Sequence, residues 1–135
     1  MKRLDQWCTP LLLLGAGALL LLIGSYIVLA PAEFYAANDI TLGGNISLRN
    51  ELKAPAGFLL AAGTLMLVAV FVRSLRDLAL LLAAMTYLSY GLARYASMAM
   101  DGTPAHGLVQ AAVLELVIGV LCALVWGWQR FATAK

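Results

Sequence analysis

Arg94 and Glu115 stand inside long apolar stretches that otherwise hold almost no charge. A charged side chain at that depth costs about 2.5–3.5 kcal/mol on insertion scales and is tolerated where it meets a partner, a ligand or water. Their register makes them partners. Across the short 101–107 connection, antiparallel helices place Arg94 six residues before Met100 and Glu115 eight after Gly107. At about 1.5 Å per residue, those positions lie roughly 9 and 12 Å below one membrane surface. Helical side chains lean toward their own N-terminus, which tips Arg94 deeper and Glu115 shallower and brings the two heads together. Two readings stand side by side: an internal ion pair that fixes the register of a hairpin, and the floor of a polar site that holds a ligand or an ion.

At about 100° per residue, Tyr87, Tyr90, Arg94, Ser97 and Asp101 share one stripe about 80° wide, and Ala111, Glu115, Gly119, Cys122 and Trp126 share another. Small residues beside the glutamate either admit a neighbouring helix or leave a pocket, and a tyrosine-lined pocket suits an amphipathic ligand. His106 is the sole histidine and reads as a loop residue. No second His or suitably spaced Cys completes a metal or haem set. Catalytic triads and phosphate loops are absent as well, so the expectation is a non-enzymatic protein with no cofactor, no metal and no nucleic-acid partner.

The elements that position these residues follow from composition. Of 135 residues, 63% are hydrophobic and 12% charged, and the mean hydropathy is +0.90; a soluble domain carries about 25% charge. Four stretches, 10–30, 55–72, 78–100 and 107–128, approach the ~20 residues that cross a bilayer. The fold class expected is an all-α membrane protein, an up-down bundle of four transmembrane helices forming one domain over 1–135. Lys2, Arg3, Arg73, Arg76, Arg130 and Lys135 fall on one side, which the positive-inside rule assigns to the cytoplasm. Trp7, Trp126 and Trp128 map to that same end, as an interfacial belt does. Both termini are therefore expected in the cytoplasm. The start imitates a signal peptide, but its apolar run exceeds the usual ~7–15 residue core, and Pro31 follows the apparent cleavage site; a retained first span is expected. Cys8 and Cys122 match no redox or metal spacing and read as packing residues.

The 31–54 segment is the most polar and is expected to be an outer loop, with turns at Asn38-Asp39 and Gly43-Gly44. Ser47 to Glu51 reads as a cap and helix start, with Pro55 restarting or kinking the helix at the interface. That arrangement hangs Glu51 and Lys53 at the mouth of the bundle. Gly15, Gly17 and Gly24 in the first span and Gly57 and Gly63 in the second read as close-packing positions.

The ordered set Asn50-Glu51-Leu52-Lys53 with Gly57, Gly91-Leu92-Ala93-Arg94, Asp101-Gly102-Thr103-Pro104 and Glu115-Leu116-Val117-Ile118-Gly119 resembles small bacterial membrane proteins grouped as domain-of-unknown-function family 4345. Lys53 stands where arginine is more usual in that family. The resemblance implies a four-helix protein of the bacterial inner membrane with no established activity. In general shape the chain also looks like DoxX-type membrane proteins, an analogy of fold that does not transfer function.

The leading functional expectation is a binding or accessory protein with an outward-facing pocket floored by Arg94 and Glu115. It would hold a lipid, a quinone or another amphipathic molecule, with Tyr87 and Tyr90 as hydrogen-bond donors and Asp101, Glu51 and Lys53 as the rim. The alternatives are a proton-coupled transporter working as a homodimer with Glu115 as the titrating group, and a structural subunit bound to a membrane-protein partner.

Overall fold

The computed structural model describes residues 2–133. Five α-helices follow one another: α1 (Lys2–Leu29), α2 (Pro31–Ala36), α3 (Ile46–Phe71), α4 (Arg76–Asp101) and α5 (His106–Thr133), with a single 3-10 turn at Arg73–Leu75 before α4. Four of them, over Trp7–Leu29, Ile46–Phe71, Arg73–Asp101 and His106–Phe131, are long and apolar enough to cross a membrane.

Helix boundaries depart from the expected spans where caps and prolines act. Asn45, two residues before the expected cap, accepts a hydrogen bond from the Leu48 amide on Oδ1 at 3.0 Å and starts α3. The second span therefore begins at Ile46 rather than at residue 55, and the helix runs on through Pro55. Pro55 removes the hydrogen bond to the carbonyl of Glu51. Glu51 is exposed in the outermost turns of α3, so the loss falls near the helix start and not in the packed core. Pro10 is carried inside α1 for the same reason, close to its start. The 31–54 segment is not all loop, since Pro31 opens α2 from its favoured first-turn position. The expected turns are present beyond it, with Asp39 and Gly43 in the left-handed region at φ 62° and 56°.

Glycines set which helices touch. A Cβ at Gly63 would lie 2.8 Å from the Gly17 carbonyl oxygen, so α1 and α3 meet backbone to backbone. On the other side, a Cβ at Gly119 would meet the Leu88 amide at 2.8 Å, and one at Gly91 would strike Leu116. Each hairpin is thus drawn tight within itself: α1 packs chiefly on α3 and α4 on α5. The two pairs join mainly through α4, which touches both α3 and α1.

The core cluster runs along the bundle and closes fully in the half nearest the chain ends. Leu13, Met66, Leu80 and Cys122 are fully buried there, one from each spanning helix. At that end Gln129 donates to Thr9 Oγ1 at 2.7 Å and Arg130 pairs with Asp77 at 2.8 Å, which brings the start of α1 and the end of α5 to one face. Arg76 donates to the carbonyls of Ala69 and Val70 at 3.2 and 2.8 Å, satisfying the last turn of α3. Trp7 and Trp128 are exposed at this end, whereas Trp126 is half-buried under the Arg130 guanidinium at 5.6 Å. Cys122 packs as expected, but Cys8 is exposed.

Candidate functional site

The opposite half of the bundle is not filled. A cavity of about 400 Å³ opens between the two hairpins, roofed by α2 and the turn after it. Its apolar walls come from Leu19, Ile23 and Ile27 of α1 and Leu52, Ala56 and Leu59 of α3. From α4 come Thr86, Tyr87, Tyr90 and Arg94, and from α5 Leu108, Ala111 and Glu115. The cavity exists because the close glycine contacts lie within each hairpin and not between them. Gly107 lets the roof settle, since a Cβ there would collide with Asn38 Oδ1.

Arg94 and Glu115 meet as their register requires. Nε of Arg94 donates to both carboxylate oxygens, at 3.0 Å to Oε2 and 3.2 Å to Oε1. The side chains are 33% and 14% exposed. A fork-to-fork arginine–carboxylate pair uses Nε and one Nη together. Here the single Nε–H is shared, and neither Nη nitrogen has a protein partner among the described residues. Arg94 also borders a smaller cavity of about 280 Å³ beside Ser97, Asp101 and Thr103. Arg94 and Leu108 thus border both the larger apolar cavity and the smaller, more polar one.

The other expected site residues divide. Tyr90 lines the main cavity, and its hydroxyl makes no hydrogen bond among the described residues. Tyr87 lines it as well, but its hydroxyl donates to the Ala16 carbonyl at 2.7 Å, and the residue is 2% exposed. Its donor ties α4 to α1 and is not open to a ligand. Asp101 accepts from Ser97 Oγ at 3.0 Å and belongs to the smaller cavity. Glu51 and Lys53 flank Leu52, and it is Leu52 that faces the main cavity; neither charged side chain lines it. His106 is exposed at the start of α5. Among the described residues, no group of three His, Cys, Asp or Glu side chains could hold a metal.

The charge pair sits on the wall and not on the floor. Thr86 and Tyr87 lie about two helical turns deeper along α4 than Arg94, about 12 Å of rise for Thr86, and the packed core begins beneath them. Thr86 is 4% exposed, and its Oγ1 has no hydrogen-bond partner.

Sequence reasoning missed Tyr35. It reaches the cavity from α2, held by edge-on ring contacts from Tyr26 to Phe34 at 5.5 Å and from Phe34 to Tyr35 at 5.2 Å. Burial pushes its phenol above the usual 10.0, Arg94 pulls the other way, and Tyr90 adds to the rise. The phenol therefore stays a neutral donor at physiological pH. The available signal was Pro31 followed by Phe34-Tyr35, a proline-started apolar turn inside a polar loop.

Residues 9–126 match the family described as Domain of unknown function (DUF4345). The chain belongs to that family. The DUF4345 match takes in all of the ordered motifs from Asn50 to Gly119, so the charge pair and both cavities lie within it. No curated protein and no solved structure matches the chain, so the looser likeness to DoxX-type proteins is not shown.

Proposed function

We propose that this DUF4345 protein is a non-enzymatic binding or accessory protein of the bacterial inner membrane that holds an amphipathic molecule, a lipid or a quinone, in the cavity beside Arg94. The observation that carries this reading is the one-nitrogen hold of Glu115 on Arg94: it neutralises the guanidinium yet leaves both Nη groups without a protein partner at the edge of an apolar chamber. These Nη groups are not among the enclosed polar atoms left without a partner, so they stay open to a ligand head. A ligand head at Arg94, with Tyr90 and Tyr35 donating beside it and its apolar part against Leu19, Ile23 and Leu59, satisfies them. A cavity of about 400 Å³ with a few polar groups at one end falls within the usual range of ligand sites.

Orientation belongs to the same proposal. Lys2 and Arg3 open α1, and Arg73, Arg76 and Arg130 lie at the same chain-end face, which supports cytoplasmic termini and a cavity half that faces outward. Proton-coupled transport draws less support, because the bundle beneath Thr86 and Tyr87 is close packed around Leu13, Met66, Leu80 and Cys122. The assembly-subunit reading draws on no comparable feature. The test is retention of a small molecule on protein released from native lipid; the reading requires an adduct on wild type that Arg94→Ala loses while the bundle stays folded. Adduct-free wild-type protein defeats it.

A further inference from the structure

The polar end of the cavity has an unusual balance: its charge is already cancelled, while its hydrogen-bond donors are in excess. Arg94 and Glu115 neutralise each other at 3.0 Å. What remains is donor capacity, namely the four N–H groups on Nη1 and Nη2 of Arg94 and the hydroxyls of Tyr35 and Tyr90, none hydrogen-bonded to protein. The acidic groups near Arg94 oppose a further negative charge. Glu115 touches it, and Asp101 lines the smaller cavity on its other side. The whole roofed end carries Glu33, Asp39, Glu51, Asp101 and Glu115 against Arg49, Lys53 and Arg94, five acidic residues against three basic.

We infer that the molecule held here is an uncharged amphiphile whose head presents carbonyl or ester oxygens, rather than a carboxylate or phosphate. This rests on the reading of the cavity as a binding site. An anion at Arg94 would also meet the Glu115 carboxylate, which already cancels the guanidinium's charge, so it gains little net attraction for the water it gives up. A carbonyl oxygen meets no such opposition and accepts from Nη, Tyr90 and Tyr35 together. The apolar lining of Leu19, Ile23, Ile27 and Leu59 takes the tail.

The test uses the 135-residue protein in detergent at pH 8, offered methyl decanoate and decanoate as probes of equal chain length, with occupancy read by native mass spectrometry. Wild type is expected to retain the methyl ester at least about tenfold better than decanoate, the equivalent of about one pKa unit. Glu115→Gln should reverse the order toward decanoate, because the guanidinium then has no counter-charge. Tyr90→Phe should lower retention of the ester without changing the order. Decanoate held as well as or better than the ester on wild type overturns the head-group inference and leaves the binding site standing. Wild type that holds neither probe and carries no native adduct overturns the binding reading itself. The wild-type comparison decides the inference without any variant having to fold.

Discussion

Arg94 grips Glu115 through Nε alone, 3.0 and 3.2 Å from its two carboxylate oxygens, across the α4–α5 hairpin. The bond closes the hairpin electrostatically while keeping most of the guanidinium's donors in reserve. Whether those donors serve a ligand or stand idle separates a site from a staple, and the two have different mutational signatures.

As a staple, the pair should show strong coupling. Removing one partner of a fully buried pair costs about 3–5 kcal/mol. With Arg94 33% exposed and Glu115 14% exposed, Arg94→Met alone should cost about 1–3 kcal/mol. Arg94→Met combined with Glu115→Leu should recover most of that loss. Denaturant unfolding in detergent of the two single variants and the double variant measures the coupling, and additive losses would dismiss it.

Two tyrosines one turn apart should behave oppositely. Tyr87→Phe removes the buried hydrogen bond to the Ala16 carbonyl and should destabilise the bundle by about 1–2 kcal/mol with ligand retention unchanged in the folded fraction. Tyr90→Phe should leave stability within about 0.5 kcal/mol, as substitutions that break no partnered group do, and should reduce retention. Thermal unfolding and adduct occupancy on the same samples separate the two; parallel effects would contradict the division of roles.

Glycine positions offer a check on the packing. At Gly63 a Cβ would lie 2.8 Å from the Gly17 carbonyl, so Gly63→Ala should push α1 from α3 and cost about 1–3 kcal/mol. Gly15 and Gly57 have open space around them. There Gly→Ala should gain up to about 1 kcal/mol through helix propensity. Equal effects at all three positions would rule out the α1–α3 contact.

How much of this was legible in the sequence follows from which forces are local. The four spans, the Asp101-Gly102 end of α4 and the Arg94–Glu115 pairing rest on hydropathy, turn chemistry and helix rise across a short connection, all countable along the chain. The depth of the cavity was not countable. It depends on how two hairpins meet, and that is set by where the glycines at 17, 63, 91 and 119 draw helices together and where nothing does. The fate of the Tyr87 hydroxyl was hidden for the same reason, since its acceptor, Ala16, is 71 residues away. Glu51 and Lys53 were expected at the rim. On α3, which runs from Ile46 through Pro55, Leu52 faces the main cavity and neither charged neighbour lines it.

Topology has its own test. Ser47 is exposed at the roofed end, before the apolar part of α3. In a Cys8→Ser, Cys122→Ala background, Ser47→Cys should react with a membrane-impermeant maleimide added to intact cells. Labelling seen only in inverted vesicles would place the cavity half in the cytoplasm and reverse the assigned orientation.

The most direct measurement is native mass spectrometry of wild type and Arg94→Ala released from native lipid, with unfolding of both followed in parallel. The account predicts a discrete adduct of small-molecule mass on wild type, absent from a variant that remains folded. Bare protein in both, with the variant destabilised, would make Arg94 and Glu115 a structural pair and contradict the binding role.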